Sequence, residues 1–439
     1  KFHKIWYNRP RQSIFLLDIP PRRRLQTMKK RVITISRQFG SGGHSIAKAA
    51  AERMGIAFYD NQLITEVARQ SGLSEEFIRE NEEYASHSNS FLYQLAMSTA
   101  GTYGYPSVYQ KLYEAQTKVI QDIADKALRR QLEDQNEIDG GCLVLMEVST
   151  GAIRAMVNLT RDNEGRLNES YNLAIARAGE PGSIVKSATL MTLLEDEKVT
   201  LETKIPTNHG MMENVSPDEY IQKYERNNKT DKISILDGFK ISSNYVFRHL
   251  VKEHYGKTPS EYLGRLYTYG IGGRFDFELD GLANGYIPNP ARKGWSPTDL
   301  IQSAIGYSIQ TSPLHMVTFY NAVANKGKMM KPYVVESIEK DGKVLKEFLP
   351  SVLNGAICSR ATADTLVRAL TAVTSDGTGS KVKNAKCQIA GKTGTAEYSS
   401  DKEKAHSWFA GFTNVDNPEL AICVVVESAD NSGMSAVSV

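Results

Sequence analysis

Ser183 and Lys186 stand three residues apart in the run GEPGSIVKSATLMTLLED, and they are the residue types that serine acyl transfer needs. Such chemistry requires a nucleophile, a base within hydrogen-bonding distance, an oxyanion hole and a grip on the substrate. Pro181-Gly182 ends a loop, so Ser183 is predicted to open an amphipathic helix with Lys186 one turn away on the same face. Burial lowers the pKa of a lysine and can leave a neutral amine that acts as the base.

The SxxK spacing is not specific by itself, because it occurs five times, at Ser45, Ser183, Ser337, Ser380 and Ser399. Sequence context separates the five serines. Ser337, Ser380 and Ser399 lie in polar, turn-like segments where no helix is predicted to begin, and Ser45 lies in a helix after a glycine loop. Ser183 is therefore the candidate nucleophile.

A second polar motif, Ser242-Ser243-Asn244, stands at the head of another helical pattern in FKISSNYVFRHL. Its outer residues, Ser242 and Asn244, could relay a proton and hold a substrate amide. The alternative is an ordinary helix cap, since serine and asparagine are common at that position. The same SxN spacing also occurs at residues 170–172, so the motif is weak alone.

The third motif, Lys392-Thr393-Gly394-Thr395, contains the only KTG in the chain and lies in a predicted strand. Glycine in a strand leaves room where a substrate backbone approaches, so a peptide could add to this edge as an extra strand. Lys392 would offer positive charge to a terminal carboxylate. The alternative is a turn lysine beside a strand glycine.

The elements that must position these motifs follow from apolar patterning. GGCLVLMEV and GAIRAMVNL predict two strands that form a hairpin around residues 149–151. A mostly helical stretch follows over about 183–330. Three further strands are predicted in CQIAGKTGTAEY, HSWFAGFTNV and LAICVVVES. Strands, helices and strands again indicate an α+β domain, with a five-stranded antiparallel sheet and a helical insertion.

Composition excludes several classes of protein. The chain has 439 residues, a formal net charge of +3 and 23% charged residues, which is ordinary globular composition and gives no reason to expect nucleic acid as a partner. No run reaches the ~18 apolar residues of a membrane span. The four cysteines are far apart, so neither a disulfide framework nor a metal site is expected.

Taken together, SxxK, SxN and KTG in this order resemble the signature of the penicillin-binding, active-site-serine transpeptidases, and above all the class B proteins of cell division and elongation. The flanking runs EPGSIVK, GAIRAMVNL and HSWFAGF also resemble that family. The resemblance covers about 119–439. The family normally continues into a terminal helix, so this domain is expected to be C-terminally truncated.

The resemblance implies a role for each motif residue. Ser183 is the acylated nucleophile and Lys186 its base, while Ser242 passes a proton to the leaving group and Asn244 binds the substrate amide. The residues of the third motif are implied to hold substrate: Lys392 and Thr393 through the donor carboxylate, Gly394 along the strand, and Thr395 through its N–H, which shares the oxyanion hole with that of Ser183.

The implied reaction is D,D-transpeptidation, in which a D-Ala-D-Ala stem peptide acylates the serine, D-Ala leaves and a neighbouring stem amine takes the acyl group. Peptidoglycan stem peptides and β-lactams are the implied ligands, and a glycosyltransferase and other cell-wall assembly proteins are implied partners. No cofactor is implied. The implied location is the inner membrane, with the domain on its periplasmic face and the anchor not present in this chain.

Residues 28–118 resemble the cytidylate-kinase-like P-loop family in the run VITISRQFGSGGHSIAKAAAERMGIAFYD. The glycine-loop residues implied to contact phosphate are Gly40, Ser41, Gly42, Gly43 and Ser45. His44 stands where a P-loop has lysine. The alternative function is therefore nucleotide phosphotransfer in the cytoplasm, expected to be inactive because the family's further parallel strands and basic lid are missing.

Residues 1–27 form a basic leader that is expected to be disordered or non-native, with a nucleic-acid or lipid arm as the alternative. The expected domains are thus 1–27, 28–118 and 119–439. The two enzyme-like halves imply different compartments, so we expect half a kinase joined to a transpeptidase within a helix over 108–135 that both families share.

Overall fold

The computed structural model of the chain describes residues 3–4, 15–16, 108–133, 138–340, 343–397, 405–428 and 436–439. The chain divides into two units, Lys1–Tyr59 and Asp60–Val439. In the first unit, β1 (His3–Lys4) pairs antiparallel with β2 (Phe15–Leu16). The predicted glycine loop at 40–45, most of the leader and most of the segment 28–118 lie outside the described residues.

The elements of the second unit follow in chain order. Its first half contains α1 (Val108–Glu133), β3 (Ile138–Glu147), β4 (Ile153–Arg161), β5 (Leu167–Asn168), α2 (Leu173–Ala176), α3 (Lys186–Glu195), β6 (Lys204–Pro206), α4 (Glu219–Asn228), β7 (Lys232–Ser234), α5 (Ile235–Lys240), α6 (Asn244–Tyr255) and α7 (Pro259–Thr268). Its second half contains α8 (Pro297–Ser303), α9 (Pro313–Ala324), β8 (Met329–Met330), β9 (Ser337–Lys340), β10 (Lys343–Glu347), β11 (Val352–Asn354), α10 (Arg360–Asp376), β12 (Ile389–Glu397), β13 (Ala405–Thr413) and β14 (Leu420–Ser428).

The central sheet has the strand order β12-β13-β14-β3-β4-β5, with every neighbouring pair antiparallel. Strands β3 to β5 thus supply one half of the sheet, β12 to β14 supply the other, and helices α2 to α10 are inserted between the two halves. This confirms the predicted α+β architecture and its five long strands. The sheet has a sixth strand, β5, which has only two residues and leaves no pattern in the sequence.

Both faces of the sheet are covered, which explains the nearly continuous apolar runs of its strands. On one face, Cys142, Val144 and Met146 belong to the large core shared with the helical insertion. On the other face, Leu143 packs in a smaller core with α1, whose Leu128 is fully buried. The KTG strand β12 is at one edge of the sheet.

The prediction of an amphipathic helix after Ser183 is wrong. The serine lies in a one-turn 3₁₀ helix, Gly182–Val185, and α3 then runs through the core of the second unit with all residues from Lys186 to Leu193 buried. A helix surrounded by protein needs no polar face, so polar side chains on α3 serve internal contacts. One such contact joins the hydroxyls of Ser187 and Tyr320 at 2.7 Å.

The other SxxK serines differ from Ser183 in their surroundings. Ser337 begins the strand β9, as expected for a segment without a helix. Ser380 begins a short 3₁₀ helix, Ser380–Val382, where no helix was expected. Ser45 and Ser399 lie outside the described residues. None of the helices in the described ranges is both long enough and apolar enough to cross a membrane.

Candidate active site

The nucleophile turn is held against the KTG strand by two glycines. Gly182 has a φ of +55°, and a Cβ at this position would lie 2.3 Å from the carbonyl oxygen of Thr395. Gly394 faces the same turn, because a Cβ there would lie 3.0 Å from both the Pro181 oxygen and the Ile184 side chain. Glycine at both positions therefore lets the two backbones approach closely.

This packing corrects the expected reason for Gly394. The sequence suggests that glycine makes room for substrate, whereas the space beside it is filled by the nucleophile turn of residues 181–184. Substrate contact by Gly394 stays a prediction. The free edge of the strand supports it, since β12 ends the sheet and pairs only with β13 among the described strands.

Lys186 lies at the centre of the site and is fully buried. Its Nζ is 2.9 Å from the Ser183 Oγ, 2.6 Å from the Ser242 carbonyl oxygen and 2.7 Å from the Asn244 Oδ1. The last two oxygens can only accept hydrogen bonds, so they take two N–H groups of the lysine. The Ser183 hydroxyl is within hydrogen-bonding distance of the same nitrogen, so the lone pair of a neutral amine could accept its proton.

The surroundings of Lys186 favour the neutral amine. Burial lowers the pKa of Lys186 well below its usual value, and the positive charge of Lys392 lowers it further. The carboxylate of Asp218 acts in the opposite direction and raises it. These directions support Lys186 as the base, and that role stays a prediction.

Ser242 bridges the two lysines of the site. Its Oγ lies 2.9 Å from the Nζ of Lys392 and 3.3 Å from the Nζ of Lys186. The backbone of Ser242 has a φ of +60°, which is uncommon for a residue with a Cβ and places the hydroxyl between the two amines. A hydroxyl at this point can pass a proton from one neighbour to the other.

Ser243, the middle residue of the SxN motif, is an ordinary helix cap, which was the alternative interpretation of the whole motif. Ser243 caps α6 by accepting a hydrogen bond from the Val246 N–H at 3.1 Å. Ser242 and Asn244 face Lys186 instead. Helix capping and chemistry are thus divided among adjacent residues, and the cap fixes the two outer side chains.

Lys392 is also fully buried, and its Nζ donates to the Ser242 Oγ and to the Thr393 carbonyl oxygen at 3.0 Å. Burial lowers the pKa of Lys392 to about 7. The expected contact of Lys392 with a substrate carboxylate stays a prediction, because its described partners are both protein oxygens.

The two threonines of the KTGT run lie at the surface of the site. Thr395 is exposed, and the half-buried Thr393 donates its hydroxyl proton to the Thr378 Oγ1 at 2.7 Å. Thr378 follows α10, and its N–H donates to the Lys240 carbonyl oxygen at the end of α5. This connection ties the KTG strand to the segment that leads into the SxN motif.

Two contributors were missed by sequence reasoning, Asp218 and Thr378. Asp218 is buried and accepts the Ser243 hydroxyl at 2.7 Å and the Tyr245 N–H at 2.8 Å, so it anchors the SxN turn. It also caps α4 through the Tyr220 N–H. The capping position was recognisable from its sequence, but its contact with a motif 25 residues away was not.

The structure thus brings together Ser183, Lys186, Ser242, Asn244 and Lys392 through direct contacts and places residues 393–395 beside them. The predicted phosphate-binding residues 40–43 and 45 lie outside the described residues. Across the described ranges, no group of three or more His, Cys, Asp or Glu side chains could hold a metal ion.

Comparison with known proteins adds two family matches. The penicillin binding protein transpeptidase domain matches residues 141–439. The cytidylate kinase-like family matches residues 32–128. The two matches meet near α1, and both resemblances noted in the sequence are thereby confirmed.

The chain is similar to several curated penicillin-binding proteins. Penicillin-binding protein H of Bacillus subtilis is 26% identical over 382 aligned residues, which cover 80% of this chain and 52% of that protein. PbpB of Mycobacterium tuberculosis is 25% identical over 340 residues, covering 69% of this chain and 46% of that protein. The chain therefore spans about half the length of the curated relatives it matches.

Solved structures share the fold of the second unit. Penicillin-binding protein 2B from Streptococcus pneumoniae aligns with a TM-score of 0.64 and 21% identity, covering 73% of this chain and 56% of that one. The D,D-transpeptidase domain of a peptidoglycan glycosyltransferase from Eggerthella lenta aligns with a TM-score of 0.60 and 25% identity, covering 72% and 78%. Since the transpeptidase domain matches more than half of the chain, over a range that includes all three motifs, the chain belongs to the penicillin-binding protein transpeptidase family.

Proposed function

We propose that residues 119–439 form a serine D,D-transpeptidase that cross-links peptidoglycan stem peptides ending in D-Ala-D-Ala. One observation carries this proposal. The buried amine of Lys186 contacts the Ser183 Oγ and the Asn244 Oδ1, and the buried amine of Lys392 contacts the Ser242 Oγ, so residues of three distant motifs meet around one nucleophile and its base. Membership of the transpeptidase family supports the same chemistry.

In the proposed acylation step, Lys186 takes the hydroxyl proton of Ser183 while the Ser183 Oγ bonds to the carbonyl carbon of the penultimate D-Ala. The oxyanion that forms is held by the N–H groups of Ser183 and Thr395, and loss of one such donor typically costs ~100–1,000-fold in rate. The C–N bond then breaks. The leaving amine receives a proton through Ser242, which lies between Lys186 and Lys392.

In the proposed transfer step, a neighbouring stem amine attacks the ester carbonyl and loses one proton to Lys186. The bond between Ser183 Oγ and the acyl carbon breaks, and Ser183 regains that proton. Asn244 is proposed to bind the substrate amide, and Lys392, Thr393 and Gly394 to hold the donor strand and its carboxylate. The unpaired edge of β12 among the described strands supports a donor peptide that lies there as an added strand.

β-Lactams are proposed to acylate Ser183 in the same way and to remain attached, because their leaving nitrogen stays tethered to the acyl group. Two relatives are themselves called penicillin-binding proteins by name or title. We further propose that the domain acts on the periplasmic face of the inner membrane, together with a glycosyltransferase that supplies glycan strands.

Labelling with a fluorescent penicillin tests the proposal. The purified full-length chain is expected to form a covalent adduct on the peptide that contains Ser183, identified by mass spectrometry, and Ser183→Ala is expected to abolish it. Ser170→Ala is the matched control, because Ser170 begins the other SxN sequence, is exposed and shares a hydrogen bond with the Thr160 hydroxyl. Equal labelling of Ser183→Ala and the unmodified chain would contradict the proposal.

A further inference from the structure

The turn that follows α8 contains a strained residue next to the nucleophile loop. Ser308 has a φ of +59°, in the left-handed region that residues with a Cβ rarely adopt. Its N–H donates to the Glu180 Oε1 at 2.9 Å, and both residues are half-buried. Glu180 is three residues before Ser183, so the hydrogen bond links the strained turn to the nucleophile segment.

The same two segments are joined by backbone contacts on both sides of Glu180. Gly179 and Thr311 exchange hydrogen bonds of 3.1 and 2.9 Å, and the Gly182 N–H donates to the Gly306 carbonyl oxygen at 3.2 Å. A Cβ on Gly306 would lie 2.0 Å from the Gly182 oxygen. The turn of residues 306–308 is therefore the surface against which the residue before Ser183 is packed.

We propose that Glu180 is a positioning residue for the nucleophile: its carboxylate holds Ser308 in the left-handed conformation and so keeps the turn of residues 306–308 packed against Gly182. Gly182 precedes Ser183 directly, so the turn sets the direction of the Ser183 N–H and hydroxyl. This inference rests on the proposed acyl-transfer function. Glu180 is half-buried, and this burial raises the pKa of its carboxyl, while the hydrogen bond from the Ser308 N–H lowers it.

The contact requires residue 180 to provide a hydrogen-bond acceptor. The Ser308 N–H needs an acceptor, and an amide oxygen can serve as well as a carboxylate oxygen. Glu180→Gln is therefore expected to retain acylation, whereas Glu180→Ala leaves Ser308 without the contact that stabilises its backbone. Glycine adopts a positive φ without strain, so Ser308→Gly is expected to remove the need for the contact.

The test measures the rate of acylation by a fluorescent penicillin in the full-length chain and in four variants. Glu180→Ala is expected to lose about 10- to 100-fold in the first-order acylation rate, with a smaller change in the binding step, because a small misplacement of a nucleophile costs that much. Ser308→Gly and Glu180→Gln are expected to match the unmodified chain. The double variant Glu180→Ala/Ser308→Gly is expected to recover most of the lost rate.

Hydrogen exchange of the Gly182 and Ser183 amides gives a second measurement that does not depend on activity. Exchange is expected to be faster in Glu180→Ala and to return to its original rate in the double variant. Unchanged exchange and acylation in Glu180→Ala would overturn the inference, and so would a double variant no better than Glu180→Ala. Absence of labelling in the unmodified chain would instead refute the proposed function, while the exchange measurement would still test the contact.

Discussion

Three neighbouring charges act on Lys186. The positive charges of Lys392 and Arg248 lower its pKa, and the carboxylate of Asp218 raises it. Only the neutral amine can take the Ser183 proton. The acylation rate should therefore rise with pH through the pKa of Lys186, and the pH of that rise should respond to a change of any of these neighbours.

Lys392→Met is expected to move the rise in acylation rate to higher pH. Removing a positive charge stabilises the ammonium form of Lys186 and raises its pKa. A higher pH is then needed to deprotonate the amine. The absolute rate will also fall, because the contact of Lys392 with Ser242 is lost. Acylation rates measured from pH 5 to 9 test the direction, and an unmoved profile would contradict the coupling.

Asp218→Asn is expected to move the same rise to lower pH. Without the carboxylate, the ammonium form of Lys186 loses a stabilising charge and its pKa falls further. Ser243→Ala is the control for charge, because it removes the hydroxyl that Asp218 accepts and the cap of α6 but leaves the negative charge in place, so its rate can fall while the pH of the rise stays unchanged. If both variants gave the same pH profile, the electrostatic role of Asp218 would be rejected.

Sequence spacing found Ser183 and Lys186 because residues three apart on a helical turn stay neighbours whatever the tertiary structure. It found Ser242 and Lys392 only through the combination of motifs. Asp218 and Thr378 were missed for a physical reason. Their contacts with the motif residues join different elements, and nothing in the local sequence of either residue encodes its partner.

At the scale of elements, the site depends on how closely the nucleophile turn approaches β12. The strands were predictable because their apolar runs are long. The complete burial of α3 was not predictable, because it depends on how other helices pack around this one. The close approach itself requires Gly182 and Gly394, whose role is apparent only when the opposing backbone is known.

Gly394→Ala is expected to slow acylation by about 10- to 100-fold, because the new methyl group would push the nucleophile turn away from the strand. It should also cost ~1–3 kcal/mol in the free energy of unfolding, as overpacking usually does. Penicillin labelling kinetics and urea unfolding measure the two effects.

Gly264→Ala is the control for this change. A Cβ at Gly264, within the exposed part of α7, meets no atom within 4 Å, so acylation should not change. Alanine should stabilise this helix by up to ~1 kcal/mol. An equal loss of acylation rate in both variants would show that the close approach of the nucleophile turn to β12 does not determine the rate.

At the scale of the whole molecule, α1 lies at the end of one family match and shortly before the start of the other, which begins at residue 141 in β3. The cytidylate kinase-like match ends at residue 128, inside a helix that continues without a break to Glu133. Ala124, Leu128 and Leu132 pack on the outer face of the transpeptidase sheet. The predicted domain boundary at 118–119 falls within this helix and stays a prediction, as does the expected lack of nucleotide phosphotransfer.

Leu128→Ala is expected to destabilise the transpeptidase domain by ~2–5 kcal/mol, since it removes a fully buried side chain from the smaller core. Ile123→Ala is the matched control on the same helix, because its side chain is 56% exposed and should cost no more than ~0.5 kcal/mol. Urea unfolding, with penicillin binding as the signal of the folded domain, measures the free energy change in both variants. Equal effects would mean that α1 does not belong to the core of this domain.

The open edge of β12 has a consequence for selectivity. A peptide that binds by main-chain pairing is recognised through backbone groups that every amino acid has. Most of the bound peptide would therefore contribute to affinity but little to specificity. Choice among ligands would then fall on the few side chains around its end, where the serine, the two amines and the threonine hydroxyls lie. Such an enzyme would accept peptides of varied sequence but require one kind of C-terminal group. A small rigid molecule that resembles this C-terminal group would then be enough to inhibit it.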